Sequence, residues 1–585
     1  MANALFSFSP FDFSGIQGDC SPFEDYRMKE KQDPLFSMEE LGQVYPLCTE
    51  YGAYQDKGLH FFKDQQPPPP PTLPPKSNCL TLDEYFDSCF PVPAQQMQEV
   101  KKSENIAKSG HPFALSSSLE LLNNYGSGIK KLNQNQNQNQ FSNVSSETIV
   151  EARKKLSTEE IMRVAGARYI QFSDQRNDDF SMLMHPFGYA LSGLSEEESR
   201  DVELAHLLLA SAEKVGYQQF DRASRLLSRC EWISSERANP VQRVVYCFAE
   251  ALRERIDKAT GRFTPKKRSA KCDGLISTNL ACLSVHQKVP INQITQLTSI
   301  QAILENMGSA RKLHLIDLEI RSGVQWTAMM QALAEREQRP LEHLKVTAVC
   351  LASNQKNTEA TGGRLESFAK SMNLPFTFKL VNVTTMNDIK EELFEIAADE
   401  SLVVVSNSFL RSFIPNPDCL ENLMRVIKNL NPSMMIVAEV EANHNSPIFV
   451  NRFIEALFFY SAYFDCLETC MDQNLEHKSA IEALFSKGIR ETLALDDNER
   501  LTRNVKIEVW RAFFTRFKMV EIGFSESSLY QASLVLKQYP CGSSCTLDKN
   551  GKCLILGWKG TPLHSLSAWK FSRERLGRFF ANYRF

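Results

Sequence analysis

The residues best equipped for chemistry stand just past short apolar runs. They are Asp317 and Glu319 in LHLIDLEIRSGVQW, then Ser406, Asn407 and Ser408, and then Glu439, Glu441, Asn443 and His444 in AEVEANHN. Carboxylates, hydroxyls and a histidine of this kind can serve as general acid, nucleophile and general base. Glu439 and Glu441 stand two apart, so in a strand they share a face. The same pair suits strand-end carboxylates that hydrogen-bond neighbouring loops. With no nucleophile in a recognisable elbow, His444 reads as a hydrogen-bonding structural histidine. Cys541, Cys545 and Cys553, with His564 as a fourth donor, have the chemistry of a zinc site, but their CxxxC…C…H spacing matches no finger geometry. The expectation is no catalytic group and no metal.

Positioning these residues falls to five β-rich runs, at 313–318, 344–349, 376–381, 402–405 and 434–440. Adjacent runs start roughly thirty residues apart, about the length of a βαβ unit. Continuous apolar strands with intervening helices call for a parallel sheet covered on both faces. A further strand is expected near 464–467, and late runs at 517–522 and 553–556 suit an antiparallel edge. Upstream, apolar residues at helical spacing (Ile161, Val164, Ala165, Ile170; Leu204, Leu208, Ala212, Val215; Ala223, Leu226, Leu227, Cys230; Val244, Val245, Phe248, Leu252) predict a helical subdomain. The fold class is therefore α/β. A Rossmann-like, mostly parallel sheet over about 308–585 has helices on both faces and carries an N-terminal α-helical cap over about 151–307.

Residues 1–150 read differently. Seven prolines between Pro67 and Pro75 and an Asn/Gln alternation from Asn133 to Gln140 leave no apolar period, so this stretch is expected to be a disordered, low-complexity regulatory arm. Two acidic–aromatic islands interrupt it: Phe6, Phe8, Phe11 and Phe13 with Asp12, and LTLDEYFDSCF at 80–90. Such segments suit a partner's groove or local packing against the folded part.

The 66 Lys+Arg and 70 Asp+Glu of the 585 residues give a net charge of −4, too near neutral for a protein that clings to nucleic acid everywhere. No apolar run approaches the ~20 residues needed to cross a bilayer, and the start, MANALFSFSPFDFSG, has no basic-then-apolar signal. A soluble, unsecreted chain is expected, with its 15 cysteines mostly buried thiols. In a doubly wound sheet, ligands bind outside the carboxyl ends of the strands. The polar residues named above are thus expected to line a cleft there. A nucleoside cofactor needs glycines in the first βα turn. This turn has only Gly323, with Leu318, Ile320 and Arg321 where an S-adenosylmethionine enzyme carries glycines, so Leu318 and Ile320 are expected to crowd a ligand out. No cofactor is expected.

Several segments together resemble the GRAS family of plant transcriptional regulators. ELAHLLLASAEKVGYQQFDRASRLLSR (203–229) with PVQRVVYCFAEAL (240–252) is similar to its first leucine-rich region. LHLIDLEIRSGVQWTAMMQALAER (313–336) is similar to its VHIID motif, where His314, Ile316 and Asp317 keep their positions and Leu313 and Leu315 replace a valine and an isoleucine. GGRLESFAKSMNLPFTF (362–378) resembles the second leucine-rich region, residues 431–468 the PFYRE region, and VEIGFSESSLYQASLVL with LILGWKGTPLHSLSAWKF the terminal SAW region. These motifs cover most of residues 200–571. FSKGIRETLALDDNER (485–500) departs from the family pattern, and the arm lacks the DELLA sequence.

The resemblance implies a nuclear transcriptional regulator on a methyltransferase-like fold without catalysis, in plant development or root symbiosis; general likeness leans towards arbuscular-mycorrhiza regulators. It implies assembly, as homo- or heterodimer, with other GRAS proteins and DNA-bound transcription factors, carried by the leucine-rich helices. Leu204, Leu207 and Leu208 form an LxxLL pattern that, with Leu226 and Leu227, can enter a partner's groove or face the cap's own core. Lys266, Lys267, Arg268 and Lys271 are the nuclear-import candidate, with a solvated loop as the plainer reading. Direct sequence-specific DNA binding and S-adenosylmethionine-dependent methyl transfer are the rival functions.

Overall fold

The structure, a computed structural model, describes residues 117–125, 155–174, 194–262, 275–336, 340–471 and 473–572. Both acidic–aromatic islands and the basic cluster Lys266, Lys267, Arg268 and Lys271 lie outside these residues. A short helix, α1, spans 117–125. The cap follows as α2 (Thr158–Asp174), α3 (Glu196–Gly216), α4 (Phe220–Ile233), α5 (Pro240–Ala259) and α6 (Leu275–Lys288), and α7 (Pro290–Met307) leads into the sheet. Their boundaries are set by local chemistry. The Ser195 hydroxyl accepts the Glu198 N–H while the Glu198 carboxylate accepts the Ser195 N–H, closing a capping box at the start of α3. Asn239 caps α5, which begins on Pro240.

The core alternates β1 (Lys312–Asp317), α8 (Val324–Ala334), β2 (His343–Leu351), α9 (Gln355–Ser371), β3 (Phe376–Val383), β4 (Ser401–Asn407), α10 (Pro417–Leu430) and β5 (Met434–Val440). It continues with α11 (Phe449–Cys470), α12 (Leu475–Leu493), α13 (Ile507–Arg516), β6 (Met519–Ile522), α14 (Glu526–Lys537), β7 (Cys545–Asn550), β8 (Cys553–Trp558) and β9 (Thr561–Phe571). Strand order is β3-β2-β1-β4-β5-β9-β8-β7, with β6 on the same outer edge of β9 as β8 but at its other end. The first five strands are parallel and the rest antiparallel. Order reverses between β1 and β4, the crevice where such sheets take ligands. The α/β expectation of a mostly parallel, doubly covered sheet with a helical cap therefore holds.

Successive residues of a strand face opposite sides. In β1, Leu313 and Leu315 join the larger apolar cluster shared with the cap, α8 and α11, while Ile316 joins the smaller one under α10 and α13. On β3, the ring of Phe378 lies so close to α9 that a Cβ at Gly362 would sit 2.3 Å from it, which is why a glycine stands there.

Three expectations need correction. Residues 464–467 are not a strand but the end of α11, 17 of whose 22 residues are buried. A run of apolar residues this short does not distinguish a buried strand from a buried helix. β9, central to the sheet, escaped notice because Ser565, Ser567 and His564 are buried in it beside Leu563, Leu566 and Ala568, and serine is no marker of a strand. Finally, the arm is not wholly without structure. In α1, Leu122 is 1% exposed, Ser118 donates to the Asn451 side chain at 2.7 Å, and the Tyr125 ring stacks on Phe458 at 4.1 Å.

Phe458 thus touches both α11's surroundings and the arm helix. Replacing it by alanine is expected to cost about 3–5 kcal/mol, read as a lower urea midpoint, and to speed amide exchange in residues 117–125. An unchanged midpoint would contradict α11's place at the centre.

Candidate functional site

The carboxyl ends of β1, β4 and β5 bring together the polar residues singled out in the sequence, but as a mostly buried, largely hydrogen-bonded floor in which the Ser406 hydroxyl and one Glu439 oxygen have no partner among the described residues. Asp317, Ser406, Ser408, Glu439, Glu441 and His444 are all buried; Glu319, Asn407 and Asn443 are half-buried. The expected cleft is corrected accordingly. Asp317 accepts the Trp326 indole N–H at 2.7 Å, the Glu319 backbone N–H at 3.0 Å and the Gln325 amide at 3.4 Å. Burial still pushes its carboxyl up to about 6, with the indole bond pulling the other way.

The turn itself is closed by Arg321, which adopts a left-handed backbone (φ 51°). Its guanidinium donates to Glu319 at 3.0 Å and to the Asn407 carbonyl at 3.4 Å, while its own carbonyl accepts the Thr361 hydroxyl at 2.8 Å. Gly323 caps α8 with φ 67°, and a Cβ there would lie 2.9 Å from Thr361 and 3.2 Å from Leu365. Leu318 and Ile320 do not crowd the mouth, contrary to expectation. They point into the two separate cores, while the Trp326 indole reaches Asp317 and the Arg321 guanidinium reaches Glu319 and the Asn407 carbonyl.

These residues do not fit S-adenosylmethionine. A nucleoside cofactor needs bare backbone after β1, but Arg321 stands there and Asp317 already has its donors. Just past β2, residues 352–358 carry no carboxylate to receive a ribose, and Glu359 is engaged by Gln355 at 2.7 Å.

The remaining candidates are structural. Of the VHIID-like residues Leu313, His314, Leu315, Ile316 and Asp317, the three aliphatic ones are core. His314 links β2 to the loop before β4, Nε2 lying 2.7 Å from the Thr347 hydroxyl and Nδ1 3.1 Å from Glu400. Burial, then Lys345, push it down to about 4, so it is neutral at physiological pH. Glu439 accepts the Leu410 N–H at 2.9 Å and Glu441 the Ile507 N–H at 3.0 Å, each at the start of a helical segment. His444 Nδ1 pairs with Asn504 at 2.9 Å, its carbonyl accepts from Arg500 at 2.6 Å, and its ring stacks on Tyr460.

The cysteine set is likewise taken apart. Cys553 donates to the Leu566 carbonyl and His564 pairs with the Tyr463 hydroxyl, whereas Cys541 lies 3.2 Å from Cys470. Among the described residues no group of three or more His, Cys, Asp or Glu is placed to hold a metal, and no helix is long and apolar enough to cross a membrane.

In the cap, Leu204, Leu208 and Leu227 are buried in its own core, and Leu207 and Leu226 are half-buried. The first three therefore offer no surface to a partner in this structure, and the LxxLL spacing serves packing.

Sequence reasoning missed Trp326, Arg411 and Asn504. Trp326 left a signal, because the first turn of the helix after β1 must lie beside Asp317. Arg411 and Asn504 left none, because their link, 2.9 Å across 93 residues, exists only in three dimensions.

A family model for the GRAS domain family matches residues 204–570. DELLA protein RGL1 of Arabidopsis thaliana is 31% identical over 65% of this chain and 72% of its own length. DELLA protein GAI1 of Vitis vinifera is 29% identical over 65% of this chain and 64% of its own, so the chain spans less than two thirds of that relative. The solved structure of SCL7 from Oryza sativa superposes with a TM-score of 0.56 at 24% identity, covering 63% of this chain and 99% of that one, a likeness of fold.

Two outcomes test the floor. Trp326→Phe leaves Asp317 without its shortest donor and is expected to cost about 1–3 kcal/mol in chemical denaturation. Burial raises Glu439 from 4.5 to about 7, so the folded state holds that proton more tightly than the unfolded chain. Its contribution is therefore complete below pH ~4.5 and is lost as pH rises through about 7. Glu439→Gln should then gain on wild type between pH 5 and pH 8, by roughly 1–3 kcal/mol, in paired melting curves. A pH-independent difference would refute it.

The motif match over most of the folded residues, the alignable relatives and the shared fold agree: this chain belongs to the GRAS domain family.

Proposed function

We propose that this chain is a nuclear transcriptional regulator of plants that works by assembling with other GRAS proteins and DNA-bound factors, not by catalysis. The observation that carries this is the carboxyl end of the sheet, where Trp326 is bonded to Asp317, Arg321 to Glu319, and the buried carboxylates hold helix starts. A scaffold whose strand-end carboxylates are engaged by its own side chains and backbone is left with its outer surfaces to act through. A role in development or root symbiosis, as homo- or heterodimer, fits the family and the missing DELLA sequence.

Direct DNA binding ranks second, because a net charge of −4 gives little of the phosphate attraction that drives such binding. Titrating S-adenosylmethionine into the purified full-length chain by calorimetry is expected to give no heat beyond dilution. Micromolar binding with methyl transfer would establish the enzyme instead. In mobility shifts of the chain alone at 50–200 mM salt, only weak retardation without sequence preference is expected. Tight binding to one sequence would transfer the role to direct DNA recognition.

A further inference from the structure

One stripe of the cap surface has no partner within the described chain. On α4, Arg222, Arg225, Arg229 and Trp232 follow at i, i+3, i+7 and i+10, so they lie along one side of the helix. All four are exposed, Trp232 at 87%, with Ile233 beside it at 44%. The opposite side, Ala223, Leu227 and Cys230, is packed into the cap. Among the described residues no carboxylate pairs with the three arginines, and Glu231 of the same helix is taken by Arg253 at 2.8 Å. A bare indole at the end of three guanidinium groups without a carboxylate, of which Arg222 donates only to the Gln219 amide oxygen at 3.4 Å, fits a ligand that is acidic along its length and aromatic at intervals.

The chain carries such a segment. LTLDEYFDSCF at 80–90 has Asp83, Glu84 and Asp87, no basic residue, and the rings of Tyr85, Phe86 and Phe90. The route into the fold also favours it. Ser118 at the start of α1 is bonded to Asn451, and the preceding residue of α11, Val450, packs on Gly216 at the end of α3, where a Cβ would be 2.5 Å away. Because α4 starts only at Phe220, the chain leading to residue 117 enters beside the α3–α4 turn. The stretch between residues 90 and 117 reaches at most ~90 Å, whereas α4 is about 21 Å long. A nucleic-acid duplex, whose bases are stacked on one another, would satisfy the arginines but gives no reason for Trp232 and Ile233 to stand at their end, and a single strand that stacked on Trp232 is separated by nuclease treatment.

We propose that residues 80–90 dock along this stripe of α4, carboxylates against Arg222, Arg225 and Arg229 and rings against Trp232. The arm then covers a face of the leucine-rich region that a partner would otherwise meet. The inference stands whether or not the chain regulates transcription.

Tryptophan fluorescence reads it directly. The other four tryptophans, Trp326, Trp510, Trp558 and Trp569, are all 2% exposed or less, so acrylamide quenching of the nuclease-treated full-length chain reports Trp232, with Trp232→Phe as control. Wild type is expected to resist quenching. A full-length variant carrying Asp83→Asn, Phe86→Ser and Asp87→Asn should show several-fold stronger quenching with an unchanged melting temperature, and high salt should act in the same direction. Free quenching of wild type would overturn the proposal. So would shielding that survives the variant, that depends on protein concentration and so marks a second copy, or that appears only when nucleic acid is left bound.

Discussion

Helix α11 is apolar on every side, and a helix of that kind has no face to offer water. Phe453, Phe458, Phe459 and Phe464 point in several directions from one axis, so burying all of them requires cover from all around. The cap helices α2, α3 and α5 supply part of it together with α12, the hairpin of β8 and β9 another part, and α1 from the arm closes a further gap. At about 1.5–3 kcal/mol for each fully buried large side chain, this one helix contributes a large share of the drive that joins cap to sheet. Several of the polar residues on it find partners in the same enclosure. Asp465 accepts the Trp558 indole and the Thr158 N–H and pairs with Lys559, tying α2, α11 and the hairpin at one carboxylate.

The carboxyl end of the sheet solves a different problem. Glu439 and Glu441 are buried at a raised proton affinity, a costly arrangement unless donors are supplied. Backbone N–H groups at helix starts supply them, and these groups would themselves lack partners without the carboxylates. Residues of catalytic type have become fasteners. The left-handed backbone at Arg321, and at Ser408 with φ 55°, lies on either side of the strand-order reversal, where strain is held by the surrounding bonds.

Much of this was legible in the sequence. The five parallel strands were, because buried strands read as unbroken apolar runs of the right spacing, and so were the cap helices, because their leucines recur at helical period. The structural reading of His444 followed from the want of a nucleophile nearby, and that of Glu439 and Glu441 from their place at a strand end, where carboxylates hydrogen-bond neighbouring loops. What stayed hidden depends on contacts far apart in the chain. No local pattern says that Cys541 meets Cys470 rather than Cys553, that Arg411 reaches Asn504, or that Leu318 and Ile320 turn into opposite cores. In β9 the tertiary setting overrides composition, since a strand hydrogen-bonded on both edges tolerates serines that would be poor company elsewhere.

The place of β9 also bears on how the molecule comes into being. β5 leaves its free edge waiting while α11 to α14 and three other strands are made, and only then does β9 arrive to pair with it. Until synthesis passes Phe571, a nascent chain presents an apolar strand with unpaired amides, the kind of surface that recruits chaperones or sticks to a neighbour on the same polysome. Stops between β5 and the end of β9 should therefore yield aggregates and not a shortened folded chain, so that truncation there acts through loss of the protein.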